Sequence, residues 1–177
     1  MRIIAGRLGG RTFDSPKGNR THPMSDKIRG AIFNMLGDIK GLSVLDATAG
    51  SGALGIEAVS RDAAAVVAIE IDKNAANTIV KNIERLGVTN RVKVIRANAS
   101  GWSDNNLDVR FDLVFYDPPY DQTQLPLLDK LARHLNPDGI MIVSLPPAAR
   151  VGVPDGFMSV AEKSFGDAKI YAFRNVG

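Results

Sequence analysis

The stretch Val44-Leu45-Asp46-Ala47-Thr48-Ala49-Gly50-Ser51-Gly52-Ala53-Leu54-Gly55 decides the fold. It opens on a short apolar run, as in a strand buried on both faces, and closes on the start of a helical pattern over 53–61. Between them Gly50, Gly52 and Gly55 have the spacing G-x-G-x-x-G. Glycines in such a turn let the backbone approach a ligand where a Cβ would clash. The next apolar run ends near Glu70, twenty residues after Gly50, where a carboxylate accepts from the two hydroxyls of a ribose. Strand, glycine turn, helix, strand and acid together point to a cofactor that contains adenosine. Asp46, at the lip of the first strand, narrows the choice. Its carboxylate would face the cationic amino and sulfonium end of S-adenosylmethionine and would repel the pyrophosphate of a nicotinamide dinucleotide. Ser51 adds a hydroxyl that suits either.

Outward from this loop, apolar runs at 42–46, 65–71, 91–96, 111–116 and 139–145 alternate with helical patterns at 53–61, 73–86, 99–105 and 122–135. Such alternation predicts an α/β fold, a doubly wound parallel sheet with ligands at the carboxyl ends of its strands. Residues 157–164 and 168–174 read as two more strands around a tight turn at Gly166-Asp167, a hairpin that makes one of them antiparallel. The sheet is thus expected to be seven-stranded and mostly parallel. Trp102 reads as a half-buried packing residue and His134 as the end of the helix at 122–135.

Before the sheet, Ser25 is placed to cap a helix in which Ile28, Ile32, Met35, Leu36 and Ile39 recur at helical spacing. Gly30 interrupts it, at a cost of about 1 kcal/mol relative to alanine. Residues 1–15 read as a β-hairpin or short strands with turn signals at Gly9-Gly10, followed by a loop. This divides the chain into a basic hairpin and loop, 1–24, and an α/β domain, 25–177, that includes the first helix.

The run Phe111-Asp112-Leu113-Val114-Phe115-Tyr116 leads into Asp117-Pro118-Pro119-Tyr120. Ionised, Asp117 only accepts hydrogen bonds. Prolines lack an N–H and hold φ fixed, which leaves the Pro118 carbonyl in a rigid turn as a second acceptor. Two acceptors side by side suit an NH2 group, and Tyr120 offers a face on which a splayed-out base stacks. Guanine, with adjacent donors at N1 and N2, suits an acceptor-only aspartate better than adenine does; the tetrapeptide by itself leaves adenine N6 open.

Residues 1–40 hold eight Lys/Arg against three Asp, while residues 41–177 hold fourteen against sixteen acids. A basic segment on a near-neutral body suits a polyanion. There is no cysteine, which excludes disulfides and thiolate metal ligands, and the two histidines, His22 and His134, lie far apart in the sequence, so no metal site is expected. No apolar run approaches the roughly 18 residues of a membrane span. A cytoplasmic protein with no membrane partner is the expectation.

The chain resembles the S-adenosylmethionine-dependent methyltransferases with a Rossmann-like sheet and an (D/N)-P-P-(Y/F) amine site. More narrowly it is similar to the RsmD-type family, which methylates the exocyclic N2 of a guanine in 16S ribosomal RNA. The resemblance rests on Met1-Arg2-Ile3-Ile4-Ala5-Gly6, on Ser25-Asp26-Lys27-Ile28-Arg29-Gly30-Ala31-Ile32-Phe33-Asn34, on Asp46 to Ala58 and on Asp117 to Tyr120. Two positions depart from the family pattern, His22 for an arginine and Gly30 for a glutamate. Membership implies that Asp46, Ala47, Gly50, Ser51 and Gly52 line the methionine end, Glu70 and Ile71 the ribose side, and Asn98 and Ala99 the adenine. Asp117, Pro118, Pro119 and Tyr120 would form the acceptor pocket, with Asp117 also next to the cofactor. Arg2, Arg7, Arg11, Arg20, Lys27 and Arg29 would hold RNA, 16S rRNA or the 30S subunit, and the protein would act as a monomer.

Overall fold

The computed structural model describes residues 1–17, 24–119 and 125–177. Helix α1 (Asp26–Leu36) precedes an alternating series: β1 (Ser43–Asp46), α2 (Ala53–Ser60), β2 (Ala65–Glu70), α3 (Lys73–Leu86), β3 (Val92–Arg96), α4 (Ala99–Asp104), β4 (Phe111–Tyr116), α5 (Leu125–Ala132) and β5 (Leu135–Leu145). The hairpin β6 (Phe157–Ser164) and β7 (Lys169–Asn175) closes the series. The seven strands form one sheet in the order β3-β2-β1-β4-β5-β7-β6, as the alternation predicts. β1 to β5 pair in parallel; β7 runs antiparallel to both β5 and β6. The order reverses between β1 and β4, so the carboxyl ends of these two strands and of β2 surround one crevice at the switch point.

Burial on both faces explains the unbroken apolar strands. Val44 belongs to a core shared with α1, α2 and α3, and Leu45 to a second core on the opposite face with α4 and α5. α3 buries Ala75, Ala76, Ile79, Ile83 and Leu86 along one stripe. Asp72 caps its start by accepting from the N–H groups of Asn74 and Ala75, and Gly87, at φ 72°, ends it. All eight residues of α2 are buried, including Glu57 and Ser60, because the N-terminal segment covers the side that the sheet does not.

That segment differs from the expected hairpin of strands. Hairpin-type bonds cross it from Ile3 N–H to Arg11 carbonyl (2.9 Å) and from Phe13 N–H to Met1 carbonyl (3.0 Å), but the pairing amounts to one isolated bridge, Arg2 to Thr12, and other donors turn to the helices. The Glu57 carboxylate accepts from the N–H groups of Ile4 (2.9 Å) and Ala5 (3.1 Å), and Ser60 Oγ accepts from Leu8 N–H (3.0 Å). Asn82 accepts from Asp14 N–H and donates to Asp14 carbonyl. Ile3 and Phe13 enter the same core as α1 to α3. Gly6, at φ +81°, is where the segment meets α2: a Cβ there would lie 1.9 Å from the Ser60 carbonyl oxygen.

Three boundaries also move. α1 stops at Leu36 because Gly37 takes φ 71°, which leaves Ile39 buried beyond it. β5 starts four residues before the expected 139, through a register shift opposite Phe111 and Leu113 that Asp138 accommodates at φ 62°. His134 is not a helix residue. It follows α5, is 1% exposed, accepts or donates at Nε2 with Ser103 Oγ (2.8 Å) and contacts Val109 carbonyl through Nδ1 (2.8 Å), and burial holds its pKa below the ordinary range. Trp102 is buried rather than half-buried, against Phe111 and His134. Among the described residues no helix is long and apolar enough to cross a membrane.

Candidate active site

The glycine loop is clipped to the strands on either side of β1. Ala47 N–H donates to Phe115 carbonyl at the end of β4 (3.0 Å) and Ala49 N–H to Ile69 carbonyl in β2 (2.9 Å). Gly50 and Gly52 sit at φ 55° and 75°, and a Cβ on Gly52 would meet Ile79 at 3.0 Å. Glu70 straps this loop. One carboxylate oxygen accepts from Gly50 N–H (2.7 Å) and the other from Asp72 N–H (2.7 Å). Each oxygen keeps a further lone pair, so holding the loop and accepting from a ribose are compatible. Burial raises the Glu70 pKa, against the pull of these backbone donors.

Asp46 ends β1 and is 1% exposed. Its Oδ2 accepts from Gly55 N–H at the start of α2 (3.1 Å), whereas its Oδ1 is buried with no hydrogen-bond partner. Burial pushes its pKa up to about 7; the Gly55 donor opposes the shift, and the charges of Asp117 and Glu70 add to it. The crevice therefore gathers three carboxylates with no described cation among them. An orphaned buried oxygen of this kind is the place for a cationic donor. Beyond Glu70, Ile71 is 61% exposed and presents an apolar surface at the same strand end. Asn98 follows β3, where its side chain caps α4 by accepting from Ser100 and Gly101 N–H; Ala99 behind it is buried, and Ala97 N–H ties this turn to Glu70 carbonyl (3.2 Å). These residues fit a cofactor that is cationic at one end and carries an adenosine at the other.

Asp117 stands across the crevice from Asp46. Its N–H donates to Thr48 Oγ1 (3.0 Å), which fastens the acceptor turn to the glycine loop. Burial raises its pKa to about 6, and the nearby buried hydroxyl of Ser144 opposes the shift. Pro118 is buried and Pro119 exposed. Tyr120, like Arg20, lies outside the described residues.

The expected RNA-facing cations are distributed unevenly. Arg2 and Lys27 are exposed without an ion pair among the described residues; Arg7 is paired with Asp62 (2.6 Å), and Arg11 donates to the Leu86 and Arg85 carbonyls at the end of α3. Arg29 is a correction. Its side chain is 0% exposed, donates to Arg2 carbonyl (2.6 Å) and Asp26 (2.8 Å), and faces Glu57 at 3.7 Å. A guanidinium enclosed in this way has no face left for a phosphate. Sequence reasoning missed Glu57, Ser60 and Asn82 as anchors of the N-terminal segment, and Thr48 as the partner of Asp117 N–H. A glutamate in the otherwise apolar Ala53-Leu54-Gly55-Ile56-Glu57-Ala58-Val59 was the one readable signal.

The fold is that of the Rossmann-like methyltransferases: a putative methyltransferase, yhhF, from Escherichia coli superposes with a TM-score of 0.87 at 29% identity, over 100% of this chain and 98% of that one. Ribosomal RNA small subunit methyltransferase D of Haemophilus influenzae is 30% identical over 99% of this chain and 94% of its own length. The same-named protein of Buchnera aphidicola subsp. Acyrthosiphon pisum is 40% identical over 121 residues, 68% of this chain and 63% of the relative's length. Residues 1–174 match the family described as "Conserved hypothetical protein 95", and the chain belongs to this family, the RsmD type.

Proposed function

We propose that this chain methylates the exocyclic N2 of a guanine in small-subunit ribosomal RNA, with S-adenosylmethionine as methyl donor. The observation that carries the reading is the juxtaposition of Asp117 and Asp46 across one crevice, the first leading into Pro118-Pro119 and the second holding a buried, unpartnered oxygen. The relatives named for ribosomal RNA methylation support the substrate class. The bound cofactor would supply a methyl group on a positively charged sulfur.

Everything else falls to the chain. Asp46 Oδ1 accepts from the cationic end of the cofactor, and Glu70 keeps the glycine loop shaped around it. Asp117 and the Pro118 carbonyl accept the hydrogens of the NH2 group. This turns the nitrogen lone pair, otherwise delocalised into the ring, towards the donor, so orientation and fixed charge lower the barrier. No strong base is needed, because the nitrogen sheds its proton after transfer, when it is positively charged. Ionised, Asp117 accepts at both oxygens and donates at neither, so the reaction is favoured at a pH above about 6. The target base must leave its stack, at a cost of a few kcal/mol, and the exposed cations of the N-terminal segment would hold the strand on either side.

The test is incubation with tritiated S-adenosylmethionine and unmodified 16S RNA, free or in 30S particles, followed by nucleoside analysis. Label in N2-methylguanosine is expected; label in N6-methyladenosine would overturn the substrate. Asp117→Ala should abolish transfer while cofactor binding persists, and full activity in that variant would remove the amine site.

A further inference from the structure

A groove of about 540 Å³ runs between the end of the N-terminal segment and the outer face of α3. Ser15 and Lys17 form one wall; Asn74, Asn77, Thr78 and Lys81 form the other. The second set recurs at i, i+3, i+4 and i+7, one stripe of the helix, turned away from the buried stripe of Ala75, Ile79 and Ile83. α3 begins three residues after Glu70, so the stripe starts at the edge of the cofactor crevice and leads away from it to the basic segment.

The groove's chemistry is one-sided. Lys17 and Lys81 make no ion pair among the described residues, and the side-chain amides of Asn74 and Asn77 make no hydrogen bond to them. Asp14 is the one acid in the lining, and it is engaged: its backbone is bound by both ends of the Asn82 amide, and its carboxylate faces Arg85 at 3.3 Å. What remains is two ammonium groups, two amides and the Ser15 hydroxyl, Thr78 Oγ1 already donating to Asn74 carbonyl (2.8 Å); these are side-chain types that contact phosphate oxygens in nucleic-acid complexes. No aromatic or guanidinium plane lines the groove, so nothing there stacks a base.

We infer that this groove holds the phosphodiester backbone of the RNA substrate, without reading its sequence, and so sets the strand's course towards the acceptor pocket. The inference rests on the proposed RNA methyltransferase reading and adds the residues that position the strand, Lys17 and Lys81 foremost. An acidic protein surface is the competing occupant.

The test uses the full chain and a fluorescein-labelled 20-nucleotide RNA in three unrelated sequences, with poly-glutamate as a non-nucleic polyanion. The double variant Lys17→Gln/Lys81→Gln is compared with wild type and with Lys93→Gln, an exposed lysine on β3. Removing two single-strand phosphate contacts should flatten the slope of log affinity against log salt by about 1.4. It should also weaken binding about tenfold or more at low salt, equally for all three sequences, while S-adenosylmethionine affinity stays at the wild-type value. With 30S particles as substrate the loss should appear in KM rather than kcat. An unchanged slope, a loss confined to one RNA sequence, or a loss confined to poly-glutamate would each overturn the inference. A wild-type protein that shows the salt effect yet transfers no methyl group would instead sink the functional proposal and leave the groove standing.

Discussion

Asp46 and Asp117 carry their charges in a place that resists charge, and this makes both of them sensitive to pH. Burial raises the Asp46 pKa to about 7, so the folded protein without cofactor binds that proton more tightly than the unfolded chain does. The stabilising contribution is full below the ordinary carboxylate range, near pH 4, and is lost as the pH rises through 7. Asp46→Asn should therefore raise stability at pH 8 by about 4 kcal/mol relative to its effect at pH 4, while weakening S-adenosylmethionine at least tenfold. Urea unfolding at both pH values checks this, and parallel stability curves for variant and wild type would contradict it. For activity the sign is opposite, since both carboxylates work ionised. kcat/KM should climb through about pH 6 to 7 and level off above. The two groups repel each other, so the limb belongs to the pair rather than to one residue. Asp117→Asn should remove the part of this limb that is due to Asp117.

α1 and α2 show opposite uses of an unexpected residue. Gly30 lies inside α1, where an added Cβ would meet only Ile4 Cδ1, at 3.8 Å. Nothing packs so closely that glycine is required, and Gly30→Ala should stabilise the protein by about 0.5–1 kcal/mol in chemical denaturation. Glu57 of α2 is the reverse case: 1% exposed, it answers Arg29 and Arg61 and two backbone donors of the N-terminal segment. Glu57→Gln leaves the buried Arg29 short of an opposing charge and should cost about 3 kcal/mol in the same measurement. The difference explains what could be read from the sequence. Strands buried on both faces announce themselves as apolar runs, and Asp46, Glu70 and Asp117 stand out because each ends such a run. The start of β5 did not, since Asn136-Pro137-Asp138-Gly139 has the composition of a turn although the chain passes it as a bulged strand. Arg29 reads from the sequence as one of the RNA-holding cations because charge is normally solvated, and only the partners that fold around it, Arg2 carbonyl and Glu57 among them, show otherwise.

Taken whole, the molecule does not treat its first residues as an appendage. Ile3 and Phe13 complete the core on the α1–α3 face, and Asn82 and Glu57 receive backbone groups that would otherwise be unpaired. Deleting residues 1–16 should thus abolish the sharp thermal transition and near-ultraviolet circular dichroism rather than only weaken RNA binding; a truncated protein that melts as sharply as wild type would contradict this. On the other face, the chain's single tryptophan, Trp102, lies in α4 with its ring 5.0 Å from that of His134. The capping residue of α4 is Asn98, which we propose for the adenine end of the crevice. All tryptophan fluorescence of this protein therefore originates one helical turn from where the cofactor would bind, which makes the unlabelled protein its own optical probe of cofactor occupancy.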